Sequence, residues 1–213
     1  TDFAMAQWRF LFVVLVAVWP RLAVADMIDT RGLQPWEACA LCHGIDGVSR
    51  MAKFPRLAAQ PEAYLAKQLR DFRLAHRQND DNVMMDNAAL LSPAEVQVVA
   101  RYFSDQEAPG PIEAIEGTDR AAGGALFNAG RPSENLPACA ACHVKGDPAA
   151  NYPAITSQHP GYIEKQLRDF KEGRRQNDPD GVMQSVAAKL SARDIAAVAA
   201  YAGSLPRQKR SQP

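Results

Sequence analysis

The chain has 213 residues, 47% of them hydrophobic, and its 24 basic and 24 acidic side chains cancel to a net charge of zero. That length leaves room for one or two domains. No low-complexity tract interrupts it, and the charge balance gives no sign of a nucleic-acid partner.

At the N-terminus Arg9 precedes an apolar run from Phe10 to Trp19, closed by Pro20 and Arg21, and Ala23-Val24-Ala25 then offers small residues for cleavage. This order matches a secretory signal peptide over residues 1–25, with Met5 as its start. Ten apolar residues are about half of what a membrane-spanning helix requires, although an uncleaved leader would keep the protein at the membrane periphery. The expectation is export to the periplasm.

Next comes Cys39-Ala40-Leu41-Cys42-His43, which returns one hundred positions later as Cys139-Ala140-Ala141-Cys142-His143. C-x-x-C-H is the attachment signature of a c-type haem. Two thiols one helical turn apart can each add to a vinyl group on one porphyrin edge, and the following histidine then lies under the iron as a proximal ligand. All four cysteines fall in these motifs, so none remains for a disulfide or a nucleophile. A four-thiolate zinc site would want pairs about 15–20 residues apart, and would leave both histidines to coincidence. A thioredoxin-like redox pair would need a βαβ pattern nearby, and no strand-like alternation is present. Two covalently attached haem c groups are therefore expected.

The duplication extends well past the motif. Tyr64 to Phe72 matches Tyr162 to Phe170, and Arg77-Gln78-Asn79-Asp80 matches Arg175-Gln176-Asn177-Asp178. Phe54-Pro55 corresponds to Tyr152-Pro153, Leu91-Ser92 to Leu190-Ser191, and Tyr102 to Tyr201. Between the copies, Ala108 to Gly117 is rich in Pro and Gly and reads as a linker. The expected organisation is a leader (1–25), a first domain (26–107), a linker (108–118) and a second domain (119–213). Domains this small gain from a buried cofactor.

Within each half the periodicity is helical. Leu65, Leu69 and Phe72 mark one apolar face. Ser92 with Glu95, and Ser191 with Asp194, are capping boxes that open the last helices. Asp119 to Ala129 reads as a further helix, whose Gly123 and Gly124 would permit close crossing with the terminal one. In the first domain, Thr30 to Ala38 reads as a shortened version of it. Nothing reads as a strand, so the fold class is all-α, a tandem duplication in which each domain surrounds one haem.

The second domain contains one methionine, Met183, seven residues before Leu190. Methionine sulfur is the usual second axial ligand in electron-transfer cytochromes. Met84 stands seven before Leu91, whereas its rival Met85 aligns with Gln184. Met84 and Met183 are thus the expected axial ligands beside His43 and His143. His76 and His159 are unrepeated and read as solvated. From Asp26 to Gly117 there are 9 basic and 14 acidic residues, a net −5, and from Thr118 to Pro213 there are 13 basic and 9 acidic, a net +4. Lys165, Lys171, Arg174 and Arg175 stand out as docking charges for an acidic partner, and the tail carries Arg207, Lys209 and Arg210.

The doubled C-x-x-C-H, the Pro segment after it, the Lys-Gln-Leu-Arg-Asp-Phe helix, the Gln-Asn-Asp turn and the late methionine together resemble the dihaem cytochrome c4 family, from about Arg31 to Leu205. The resemblance implies two class I cytochrome c domains related by approximate two-fold symmetry, with haem propionate edges facing across the interface. It also implies that the carbonyls of Pro55 and Pro153 accept the Nδ1–H of His43 and His143, which fixes the imidazole orientation.

These readings lead to a periplasmic one-electron carrier, not an enzyme, passing electrons from a respiratory donor to an acceptor such as a terminal oxidase. His/Met ligation leaves no open iron position for chemistry. The alternative is a dihaem cytochrome subunit of a flavocytochrome-type oxidoreductase, which stable co-purification or a large exposed apolar patch would favour. A dihaem peroxidase or thiosulfate dehydrogenase would show an open or unusual distal ligand.

Overall fold

The computed structural model describes residues 32–113, 117–144 and 152–207, and all the elements below lie in one compact unit, Leu33–Pro213. The expected leader, residues 114–116 of the expected linker, and Lys209 and Arg210 lie outside the described residues. The first half holds α1 (Glu37–His43), α2 (Glu62–Arg73), α3 (Val83–Ala89) and α4 (Pro93–Asp105). The second holds α5 (Arg120–Ala129), α6 (Cys139–His143), α7 (Pro160–Lys171), α8 (Val182–Ala188) and α9 (Ala192–Gly203), with short 3-10 turns at Pro132–Glu134 and Pro179–Gly181. Among the described residues there is one isolated β-bridge, Arg131 to Leu136, and no strand. The fold is all-α.

Each half has its own core. In the first, Leu65, Leu69 and Phe72 of α2 meet Val96, Val99 and Phe103 of α4, with Cys39, Leu57 and Met84 packed against them. In the second, Ile163 and Leu167 of α7 meet Ile195 and Val198 of α9, with Cys139, Ile155 and Met183 against them. The last helix of each half starts where the capping box predicts: Ser92 accepts from the Glu95 amide, Ser191 from the Asp194 amide, and each carboxylate reaches back to the cap amide. Such a cap contributes about 1 kcal/mol.

The second half crosses α5 over α9 at the glycines. A Cβ on Gly123 would stand 2.3 Å from the Ala197 carbonyl oxygen, and one on Gly124 would stand 3.0 Å from the Tyr201 ring. Only glycine admits that approach. The first half differs from the expected shortened helix: residues 32–36 form turns and coil, and Trp36 stacks on Tyr102, ring centroids 4.4 Å apart and planes within 7°. One flat side chain occupies the place on Tyr102 that a helix holds on Tyr201. Thr30 and Arg31 lie outside the described residues.

The two halves join through pairs of contacts that swap partners, as a two-fold axis requires. The Gln60 side chain bonds both the carbonyl (2.8 Å) and the amide (2.9 Å) of Ala154, while Gln158 bonds both the carbonyl (3.0 Å) and the amide (2.9 Å) of Arg56. Arg77 donates to Gln68 in its own half and to Tyr162 and Gln166 in the other; Arg175 donates to Gln166 in its own half and to Tyr64 and Gln68 in the other. Each guanidinium also lies 4.5 Å over a phenylalanine, Phe72 or Phe170. Asn79 donates to Asp169 (2.6 Å) and Asn177 to Asp71 (2.5 Å).

Two readings from the sequence are corrected by this interface. Arg175 is buried, not a docking charge, because it is consumed in the seam between the halves. Its neighbours are engaged too: Lys165 with Asp169 and the Asn79 carbonyl, Lys171 with the Leu190 carbonyl, and Arg174 with Asp169 and Glu172. His159 is buried rather than solvated, bonding the Ser49 carbonyl through Nε2 at 2.9 Å. Arg207 is likewise buried, donating to the carbonyls of Ala58 and Thr156. His76 is exposed, as expected.

Candidate haem sites

Each attachment motif forms its own short helix, α1 or α6, so the two thiols of each pair stand one turn apart. None of the four cysteines is in a disulfide, and all are half-buried. Burial pushes the Cys39 and Cys139 thiols up to about 11. They are therefore neutral, apolar thiols, the opposite of the lowered thiol that a thioredoxin-like redox pair requires. The zinc reading fails as well: the two pairs belong to separate cores, and among the described residues no three His, Cys, Asp or Glu side chains gather as a metal site.

His43 and His143 end these helices and are both buried. His43 Nδ1 lies 2.9 Å from the Pro55 carbonyl oxygen, and His143 Nδ1 lies 2.8 Å from that of Pro153. A carbonyl only accepts, so Nδ1 carries a proton, and in the neutral imidazole the lone pair then sits on Nε2. Burial lowers the His43 pKa, and the bond to Pro55 only partly opposes this. Phe54 and Tyr152 stand edge-on to the two imidazoles, at 6.0 and 6.3 Å. The rings are thus held by one hydrogen bond and one aromatic neighbour each, repeated in both halves.

Met84 and Met183 stand second in α3 and α8, and both pack against the same cores as Cys39 and Cys139. Met85 is not among the residues packed against the first core. An aspartate ties each methionine turn: Asp80 accepts from the Met84 amide, and Asp178 from the Met183 amide at 2.7 Å. Asp178 also holds Gln184, which stands where Met85 stands in the first half. Each half therefore carries two thiols and one buried imidazole on its attachment helix, with one of the thiols and one thioether packed on a single apolar cluster. That donor set fits a covalently attached haem with a soft axial sulfur.

The repeated Arg-Gln-Asn-Asp turn contributes more than the sequence suggested. Its arginine and asparagine bind the opposite half, its glutamine closes the local turn on Ala75 or Gly173, and its aspartate fixes the methionine helix. A surface turn has no reason to repeat four polar residues in order, and that was the available signal.

No protein-family model matches the chain. It is 40% identical over 170 residues to cytochrome c4 of Pseudomonas aeruginosa, covering 76% of this chain and 81% of that one. It is 38% identical over 173 residues to a thiosulfate dehydrogenase electron acceptor of Thiomonas intermedia, covering 79% of each. The fold matches the crystal structure of reduced recombinant cytochrome c4 from Pseudomonas stutzeri with a TM-score of 0.71, at 37% identity, over 79% of this chain and 93% of that one. The chain belongs to the dihaem cytochrome c4 family, and it is an electron carrier with two covalently bound haem c groups.

Proposed function

We propose that the protein is an exported carrier that takes one electron per haem from a respiratory donor and passes it to an acceptor such as a terminal oxidase, transforming no substrate of its own. Cys39 and Cys42, and Cys139 and Cys142, form the thioethers. His43 and Met84 ligate the first iron, and His143 and Met183 the second. Residues 1–25 act as the leader, 26–107 and 119–213 as the haem domains, and 108–118 as the linker. Bound haem supplies a reversible one-electron couple at iron, tuned by its axial ligands.

The chain's own residues hold that couple steady. Pro55 and Pro153 orient the imidazoles and add to their basicity. Asp80 and Asp178 fix the turns that carry the thioethers. The observation that carries the reading is the repeated pairing of a proline-anchored imidazole with an aspartate-tied methionine turn on one core. For export, the support is the leader pattern in the sequence. Among the described residues no helix is long and apolar enough to cross a membrane.

A second reading concerns the donor. The similarity to a thiosulfate dehydrogenase electron acceptor favours a sulfur-compound dehydrogenase feeding electrons into this chain. A permanent flavocytochrome subunit would instead co-purify with its flavoprotein.

Redox titration of the exported holoprotein with optical detection tests the ligation. Met84→His is expected to lower the first haem's potential and remove its share of the Met–Fe band, because imidazole favours ferric iron more than a thioether does. Met85→Leu is expected to do neither. If Met85→Leu removes the band and Met84→His leaves it, the ligand is Met85.

A further inference from the structure

The two methionine turns are tied by the same residue type, but not equally well. Five positions separate Asp178 from Met183, against four between Asp80 and Met84. In the longer turn the Asp178 carboxylate collects three donors. Its Oδ2 accepts from the Met183 amide at 2.7 Å and the Gln184 amide at 3.1 Å, and its Oδ1 accepts from the Gln184 side chain at 2.9 Å. Asp80 has one, the Met84 amide on Oδ2. Its Oδ1 is buried, and no described residue donates to it.

The missing donor has a cause in the sequence. Met85 stands where Gln184 stands, and a thioether has no N–H to offer. Arg77 lies near enough to attract Asp80, but its Nε, Nη1 and Nη2 are engaged by Asn79, Gln68, Tyr162 and Gln166. The first turn thus keeps a carboxylate oxygen out of water with no donor to share its charge. The second does not.

The position of these carboxylates gives the difference a redox consequence. A ferric haem carries one more positive charge than a ferrous one, so a negative oxygen nearby favours the ferric state and lowers the potential. An N–H aimed at that oxygen opposes the effect, and in a dry interior it is felt more strongly than in water.

We propose that Gln184 is a potential-setting residue: its side-chain amide, donated to Asp178 Oδ1, raises the potential of the second haem, a control that Met85 cannot exercise on the first. Gln184 acts through Asp178, so it is a positioning residue. The inference rests on the ligation of the second iron by Met183 proposed above. Net charges of −5 and +4 on the two halves bias the haems in the same direction. The comparison that isolates Gln184 is therefore made within the second haem, not between the two.

Gln184→Met gives the second half the residue that the first already carries at that place, so the helix tolerates it. Redox titration of the holoprotein, followed by NMR of the axial methionine methyl groups, resolves the two haems and shows whether each sulfur stays on iron. The variant is expected to shift the second haem's ferric–ferrous equilibrium about threefold toward ferric, roughly 28 mV downward at 59 mV per tenfold, and to leave the first haem alone. In an Asp178→Asn background the same substitution is expected to produce no further drop, because the charge through which Gln184 acts is gone. A second-haem potential unmoved by Gln184→Met, with Met183 still on iron, overturns the proposal and leaves the carrier reading intact. An equal drop in the Asp178→Asn background overturns it too, since the glutamine then acts by another route. Detachment of Met183 in Gln184→Met also overturns it, by giving the glutamine a purely structural role. A wild type with no methionine sulfur on the second iron overturns the ligation and this inference together.

Discussion

Tyr102 and Tyr201 hold the same place on the last helix of each half, yet different things cover them. Tyr102 is stacked by Trp36 and reaches the Ile45 carbonyl through its hydroxyl at 2.8 Å. Tyr201 lies under α5, against Gly124 and Phe127, and its hydroxyl accepts from Asn128 at 3.1 Å. The contrast continues at Leu90, which is exposed, and Lys189, which donates to the Asn135 carbonyl. By comparison, much of what faces a haem or the other half repeats closely: the proline-anchored histidines, the aspartate-tied methionines, and the exchanged glutamines and arginines. Divergence lies in what packs on the two tyrosines and in single seam contacts such as His159 with Ser49 and Arg207 with Ala58. Two copies of one design have kept their chemistry and changed what packs around it.

The sharpest way to break this equivalence is to disable one copy. Cys39→Ala with Cys42→Ala is expected to leave a protein one haem lighter by mass spectrometry, with the remaining haem on the second half. The second-half core, built from α5, α7 and α9, is expected to persist, since it shares no residue with the first. Loss of both haems from this variant would mean that the halves cannot mature separately.

A smaller effect is expected at the seam. Arg77→Met and Arg175→Met each remove hydrogen bonds from a buried cation to a glutamine and a tyrosine across the interface, and each should cost about 1.5–3 kcal/mol in denaturant melts. Two-fold exchange of partners predicts similar losses for the two variants. A loss confined to one of them would show that the seam is asymmetric in solution.

These arginines also mark the limit of what the sequence made legible. The attachment motifs, the helical class, the capping boxes and the glycine crossing follow from local rules: a fixed spacing, a periodicity, a side chain reaching three residues back. Arg175 obeys no local rule. Set among Lys171, Arg174 and Gln176, it reads as a solvated cation, and only the approach of a second copy of the same motif buries it. His159 escaped for the same reason, since its partner Ser49 lies 110 positions away. Trp36 shows a further gap: periodicity can propose a helix, but it cannot foresee that one indole will substitute for it.

The smallest expected difference lies at the capping boxes, which are equivalent except for one cation. In the second half, Arg131 Nη1 lies 2.9 Å from Asp194 Oδ1, and nothing comparable is recorded at Glu95 among the described residues. Burial alone would raise the Asp194 pKa, but the bonds from Arg131 and Ser191 outweigh it and hold the carboxyl down to about 2. Glu95 is held below its ordinary value by Ser92 alone. A depressed folded pKa means stability that is present above the unfolded value, about 3.9, and lost as pH falls from there toward about 2. Asp194→Asn and Glu95→Gln keep the shape and hydrogen-bonding capacity of each box while removing its charge. Followed by circular dichroism from neutral to strongly acid solution, Asp194→Asn should flatten the acid limb more than Glu95→Gln. Because both side chains of the Arg131 pair are partly exposed, the excess should be small and should shrink with added salt. Equal flattening by the two variants would mean that Arg131 contributes geometry to the second half but no measurable charge coupling.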